Sequence, residues 1–210
     1  MDPGDISVWC DALGQALAGR LPGPAAQQLM APVPRAGLNP ADEDSIRQGA
    51  VLLLLYQTAD GIALPVERRS EQLLHHGGQI SLPGGTREPG DASLVDTALR
   101  EAQEELGIEP GQVRLLGPMT PLYVPVSQHL VHPFVGCHLA DPVYRPNSSE
   151  VAEVIEFPLR LLLNPDMQAV EYRQMRGERV RVPFYQVGEH KVWGATAMIL
   201  SELAVILASF

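Results

Sequence analysis

Residues 50–57 read Ala-Val-Leu-Leu-Leu-Leu-Tyr-Gln. Nearly every side chain in this run is apolar, so no alternation leaves one face to water. Such a run suits a strand buried on both faces. A sheet built around it needs cover on both sides, and the chain has helical patterns to supply it. Ile6, Trp9, Leu13, Ala16 and Leu17 follow helical spacing within residues 6–19. Residues 93–106 repeat that pattern, closed by Gly107 just past the helix end. Residues 196–207 form a third, closing helix.

Short apolar runs at 77–82, 113–116, 131–139 and 151–157 read as strands, and residues 159–163 as one or two helical turns. Residues 168–175 and 178–185 flank Arg176-Gly177 as a hairpin. Asp60-Gly61 signals another hairpin, returning through residues 62–67, where Pro65 demotes the strand to an edge or a bulge. The expected fold class is therefore α/β: a mixed sheet flanked by helices on both faces. Residues 20–46 carry five prolines and no lasting period, and read as an irregular arm. Residues 1–47 are thus expected to be an N-terminal helix and arm, and residues 48–210 the main domain. The N-terminal helix fits either a cap on the sheet or a homodimer contact.

Charge narrows the partners. The formal net charge is −10, so nothing draws the chain from a distance to nucleic acid or an anionic membrane. A phosphorylated substrate would need its charge managed locally, by a metal or by arginines. No apolar run approaches the roughly 18 residues of a membrane span. The first residues are acidic and lack the basic start of a signal peptide. Two cysteines, Cys10 and Cys137, do not make a disulfide framework, which favours a reducing compartment. The expectation is a soluble cytoplasmic protein.

The chemistry concentrates in residues 84–108. Taken as a helix, Leu94, Val95, Ala98, Leu99, Ala102 and Leu106 fall within an arc of roughly 140°, the buried face. Glu101, Glu104 and Glu105 crowd an arc of roughly 100° beside it. Like charges at these spacings repel by a few tenths of a kcal/mol per pair. They also lie toward the helix end that disfavours anions. A hard divalent cation with oxygen ligands relieves both conflicts, and Mg²⁺ suits carboxylates together with substrate phosphates. The alternative is a solvated acidic face. Just upstream, Pro83-Gly84-Gly85 reads as a loop where backbone approaches a ligand closely and turns into the helix.

Arg100-Glu101-Ala102-Gln103-Glu104-Glu105-Leu106-Gly107-Ile108 resembles the second half of the Nudix box, and Gly85 its opening glycine. The spacing from Gly85 to Arg100 is one residue longer than usual, and Asp91 stands for the intervening box glutamate. Asp91 is either a displaced box carboxylate or a helix N-cap. The resemblance implies a Nudix-type α/β/α sandwich with a curved mixed sheet. It implies hydrolysis of a nucleoside diphosphate derivative with Mg²⁺ or Mn²⁺. Glu101 and Glu105 would be the main cation ligands and Glu104 a third ligand with a catalytic role. Arg100 would pair with a box carboxylate and orient it. Nudix enzymes often recruit a late glutamate as base or extra ligand, and Glu150 is the candidate.

Directly before the box, Arg69-Ser70, Leu73, His76, Gly78-Gln79 and Pro83-Gly84-Gly85 resemble the signature of coenzyme A pyrophosphatases. Trp193-Gly194-Ala195-Thr196-Ala197 near the C-terminus does so too. Leu74 and Leu82 depart from that pattern, where a basic residue and Phe are common. Arg68, Arg69, His76, Gln79, Gly84, Gly85 and Ser127 are the candidate substrate-binding residues, with His129 beside Ser127. Trp193 reads as core. The resemblance implies cleavage of coenzyme A or its derivatives into 3′,5′-ADP and 4′-phosphopantetheine. The alternatives are another nucleoside diphosphate derivative, such as ADP-ribose or NADH, and a Nudix-fold binding module without turnover.

Overall fold

The computed structural model describes residues 6–35, 46–72, 77–175 and 177–209. Helix α1 (Ile6–Ala18) and a short α2 (Pro24–Gln28) precede the first strand. Strands β1 (Arg47–Thr58), β2 (Gly61–Arg69), β3 (Ile80–Ser81) and β4 (Gly84–Thr86) lead into helix α3 (Leu94–Leu106). Then come β5 (Val113–Pro118), β6 (Leu122–Val124), β7 (His129–His138) and β8 (Val151–Pro158). A hairpin of β9 (Gln168–Met175) and β10 (Glu178–Val187), strand β11 (His190–Trp193) and helix α4 (Gly194–Leu207) complete the chain. Turns of 3₁₀ helix at Pro110–Gln112, Leu159–Leu161 and Pro165–Met167 link these elements.

The large sheet is mixed. β1 runs parallel to β7 from Arg47–His129 to Leu55–Cys137, and antiparallel to β2 and β4. β8 and β3 pair with β2, while β5 and β6 pair with β7. The smaller antiparallel sheet has the order β11-β10-β9.

The apolar run on β1 is buried on both faces, as its composition requires. Ala50, Leu52 and Leu54 pack against Ala98, Ala102 and Leu106 of α3. Leu53 and Leu55 belong to the opposite core, with Leu13 and Leu17 of α1, Tyr185 of the small sheet and Leu200 and Leu203 of α4. The α/β/α arrangement thus follows from one strand that can expose neither side.

Several local expectations need correction. The β1–β2 hairpin turns at Ala59-Asp60, and Gly61 opens β2 opposite Thr58 with φ of +118°. Pro65 meets the edge alternative locally, with no bulge beside it. There β2 has left β1 and not yet met β3, so only β8 pairs with it, opposite Glu156. The bulge comes later, between Arg68 and Arg69.

The proline-rich arm is not irregular throughout. It holds α2, and Val33 bridges to Arg181 of β10. Buried Glu202 of α4 anchors it by accepting from the Gly23 N–H at 3.0 Å and the Gln27 amide at 3.1 Å.

Cys10 and Cys137 are joined as a disulfide, tying α1 to β7. The cysteine count pointed to a reducing compartment because counting cannot see proximity. Packing of α1 against β5, the neighbour that pairs with β7 at Cys137, brings together two sulfurs that lie 127 residues apart. Among the described residues, no helix is long and apolar enough to cross a membrane.

Candidate active site

Helix α3 starts at Ser93, whose hydroxyl accepts the Asp96 N–H while the Asp96 carboxylate accepts the Ser93 N–H. This is a capping box, and it takes the N-cap role away from Asp91. Asp91 is instead the partner of Arg100. Nε of Arg100 donates to Oδ1 at 2.9 Å and Nη2 to Oδ2 at 3.1 Å. Asp91 also accepts from the Thr97 hydroxyl and the Glu88 N–H, both at 2.9 Å. With Arg100 foremost, these donors hold its carboxyl well below the usual carboxylate range. At the other end Gly107 closes the helix with φ of +72°, the left-handed geometry glycine adopts without penalty.

Arg100 reaches further. Nη2 lies 3.0 Å from Oε1 of Glu101, and Nη1 lies 3.0 Å from Oε2 of Glu104. Nη2 also donates to the Thr86 carbonyl at 3.2 Å, linking α3 to β4. The three glutamates do not share one exposed edge. The Glu104 side chain is 56% exposed and that of Glu101 14%, while Glu105 is buried at 2%. Glu105 therefore belongs to the inner face that the apolar arc alone describes incompletely, as does buried Thr97.

Inside, Glu105 meets a carboxylate absent from the sequence-based site. Glu67 of β2 is fully buried. Nη1 of Arg69 sits between them, 3.5 Å from Glu105 and 3.6 Å from Glu67. Ser81 donates to Glu67 at 3.2 Å, and the Gly84 N–H donates to Glu105 at 2.8 Å. Burial, then the neighbouring Glu67, pushes Glu105 up to about 9. Burial likewise pushes Glu67 up to about 7, against the pull of Arg69. A signal for Glu67 existed. Strand period two places it on the face of Arg69, opposite the core residue Val66.

The glycines do different work from that expected of a loop. Gly84–Thr86 is a strand paired with Gly49–Val51 of β1, and a further stretch precedes the helix. A Cβ on Gly84 would lie 2.3 Å from the Ala50 carbonyl oxygen. A Cβ on Gly85 would lie 2.3 Å from Oε1 of Glu101. One glycine lets β4 approach β1; the other makes room for a carboxylate.

The donor set suits a hard divalent cation: carboxylate oxygens only, several of them shielded from water. Oε2 of Glu67 is buried with no hydrogen-bond partner, and Arg69 brings a single positive charge to two carboxylates, so a cation would favour the charged form of both. As arranged here, Arg100 engages Glu101 and Glu104, and among the described residues no three acidic, imidazole or thiolate groups converge to coordination distance.

The remaining candidates divide. Glu150 comes to the site: its carbonyl accepts the Ser70 N–H at 2.7 Å, and its charge acts on Glu67 and Glu101. Ser127 reaches the rim, where its carbonyl contacts Nδ1 of His129 at 2.8 Å. Nε2 of His129 lies 2.9 Å from the Thr86 hydroxyl. Gln79 accepts the Arg69 N–H at 3.0 Å through its backbone.

Arg68 is not brought to the carboxylates. It pairs with Glu153, directly opposite on β8, at 3.1 Å. Trp193 is only half-buried and not core: the Arg173 guanidinium lies over its ring at 4.2 Å. His76 and Leu74 lie outside the described residues.

A family model described as the NUDIX domain matches residues 46–176. The chain is 37% identical over 179 residues to the uncharacterized Nudix hydrolase NudL of Photorhabdus laumondii, covering 84% of this chain and 91% of that one. It is 38% identical over 162 residues to the mitochondrial coenzyme A diphosphatase NUDT8 of Homo sapiens, covering 76% and 69%. Among solved structures, the Nudix hydrolase RenU from M. smegmatis shares the fold, with a TM-score of 0.53 at 19% identity over 78% of this chain and 87% of that one. With the family model spanning more than half of the chain, and the Arg100–Glu105 helix inside the matched region, this protein belongs to the Nudix hydrolases, enzymes that act on phosphoric anhydrides.

Proposed function

We propose that this enzyme hydrolyses the pyrophosphate bond of coenzyme A or its derivatives, giving 3′,5′-ADP and 4′-phosphopantetheine. The observation that carries this reading is the 38% identity to a coenzyme A diphosphatase. Arg69 and Gly84-Gly85, at the two ends of that signature, lie against Glu105 and Glu101 and support it. Glu101, Glu104 and Glu105 would hold Mg²⁺ or Mn²⁺, with Glu67 beside them. When bound, the cation neutralises charge on the pyrophosphate oxygens and lowers the pKa of a coordinated water.

The protein's own residues do the rest. Arg100, anchored by Asp91, sets the positions of Glu101 and Glu104 and ties α3 to β4. Arg69 bridges Glu67 and Glu105, and its remaining donors offer a contact to an anionic substrate. Glu104 is the exposed member of the set and Glu150 lies at the rim of the acidic site, so each is positioned to take a proton from water. Gly85 admits the Glu101 carboxylate beside the β4 backbone.

Incubation with coenzyme A and Mg²⁺ or Mn²⁺, followed by separation of products, tests this. The expected result is 3′,5′-ADP and 4′-phosphopantetheine. Intact coenzyme A alongside efficient cleavage of ADP-ribose, NADH or dinucleoside polyphosphates would replace this substrate with the other class.

A further inference from the structure

A second feature lies around the edge strand β3. An open cleft of about 410 Å³ is lined by Gly78, Gln79, Arg173, His190, Lys191 and Trp193 among others. Its walls come from two sources, the segment just before the carboxylate site and the small sheet with the start of α4. Thr196 of α4 donates to the Ile80 carbonyl at 3.1 Å and fixes one wall to the other.

The cleft combines an aromatic ring with cations. The Arg173 guanidinium lies over the Trp193 ring at 4.2 Å, and Lys191 stands two residues before Trp193 on β11. Glu171 accepts from both Arg173 and Lys191. Glu171 is shared between the two cations and Glu189 also lines the cleft, but Arg173 and Lys191 still carry donors beyond those bound to Glu171 for a ligand. On the far side, Glu153 is shared by Arg68 at 3.1 Å and His190 at 3.3 Å. The cleft is therefore tied to β2, where the next residue, Arg69, faces Glu105. Gly78 and Gln79 bond the backbone of Arg69 and also line the cleft. A ligand passing over this edge meets both places.

An aromatic face beside cations fits a purine base carrying phosphate: π-surface for the base, and charge-assisted donors for the anion. We infer that this cleft binds the nucleotide end of the substrate, with the adenine base against Trp193 and the 3′-phosphate taken by Arg173 and Lys191. The inference rests on the coenzyme A reading and adds to it the group that would select a 3′-phosphorylated nucleotide.

The test compares coenzyme A with dephospho-coenzyme A, which lacks the 3′-phosphate, in steady-state kinetics of the wild type, Arg173→Ala, Lys191→Ala and Trp193→Phe. The wild type is expected to favour coenzyme A in kcat/KM. Arg173→Ala and Lys191→Ala should each raise KM for coenzyme A by about tenfold, with a much smaller change in kcat, and should erode the preference over the dephospho substrate. Trp193→Phe keeps an aromatic ring and should keep the preference. Quenching of Trp193 fluorescence by 3′,5′-ADP in chelator, with Trp193→Phe subtracting the signal of Trp9, reads the same contact without turnover.

Thermal melts screen out variants that fail to fold; for any that does, charge-reducing Arg173→Gln and Lys191→Gln stand in. If the wild type cleaves coenzyme A and the cation variants leave KM and the substrate preference unchanged, the cleft is overturned and the coenzyme A reading stands. If the wild type does not cleave coenzyme A at all, the reading beneath it fails, and quenching by 3′,5′-ADP decides the cleft alone.

Discussion

Arg100 grips Asp91 with two nitrogens, Nε on Oδ1 at 2.9 Å and Nη2 on Oδ2 at 3.1 Å, across the turn that leads into the box helix. The pair decides between the two roles open to Asp91. Ser93 caps the helix, so Asp91→Asn leaves the cap intact. It removes the charge that holds Arg100, and with it the alignment of Glu101 and Glu104. Partners of ligand residues typically contribute about 10- to 100-fold to activity. Asp91→Asn is expected to lose activity in that range and to melt at lower temperature. Unchanged kinetics would show that Arg100 keeps its place without Asp91.

Glu105→Gln keeps size and helix propensity but removes a charge. Turnover at saturating Mg²⁺ should fall by roughly 10²-fold or more if Glu105 holds the cation. In chelator the variant should melt no lower than the wild type, because a neutral amide needs no bound proton to sit buried beside Glu67. Glu101→Gln should lose turnover likewise. Its melt in chelator should drop slightly, because the Arg100 pair at 3.0 Å weakens. Rates and melts measured together separate the effects. Normal turnover in Glu105→Gln would remove it from the cation site.

The buried pair also sets a pH dependence. Glu105 lies at about 9 and Glu67 at about 7 in the fold, against 4.5 for a free glutamate. Between those values the folded protein holds protons that the unfolded chain has released. Linkage then makes stability fall as pH rises. The contribution is complete below about pH 4.5 and fades through the folded values. Melts in chelator from pH 5 to 9 should decline more steeply for the wild type than for Glu105→Gln or Glu67→Gln. Saturating Mg²⁺ should flatten the decline, since a cation favours the charged carboxylates. Parallel wild-type and variant curves in chelator would contradict this.

Gly84 and Gly85 are expected to separate stability from activity. In Gly84→Ala the new Cβ meets backbone, 2.3 Å from the Ala50 carbonyl oxygen and 2.7 Å from Cα of Val51. The φ of +154° is itself poor for alanine. Overpacking against backbone costs about 1–3 kcal/mol or more, so the melt should drop clearly. In Gly85→Ala the Cβ meets the Glu101 carboxylate, which can swing away. There the melt should change little while turnover falls severalfold or more. A Gly85→Ala enzyme with normal turnover would show that Glu101 need not sit against β4.

How much of this was legible beforehand depends on which physical rule carried each residue. The apolar run on β1 could be read directly, because a strand with no polar alternation has only one stable environment. The limits of α3 could be read to within a residue at its start and end, since Gly107 terminates it by a local backbone requirement. Strands β4, β6 and β11 and helix α2 were missed: they are short, and long-range packing rather than their own pattern defines them.

By itself the sequence determined the layered α/β architecture, the carboxylate helix and the family to which its spacing belongs. The first two follow from periodicity and local backbone chemistry, which act within a few residues along the chain; the family follows from the resemblance of residues 85–108 to the Nudix box. Only the tertiary structure decided that Glu67 stands beside Glu105, that Asp91 serves Arg100 rather than the helix end, and that Arg68 turns away while Arg69 turns in. It likewise decided that Cys10 meets Cys137, and that Trp193 stands at a cleft rather than in the core. Each of these depends on which segments pack against one another. A charge or a ring acquires its role from the burial and the partners that packing supplies.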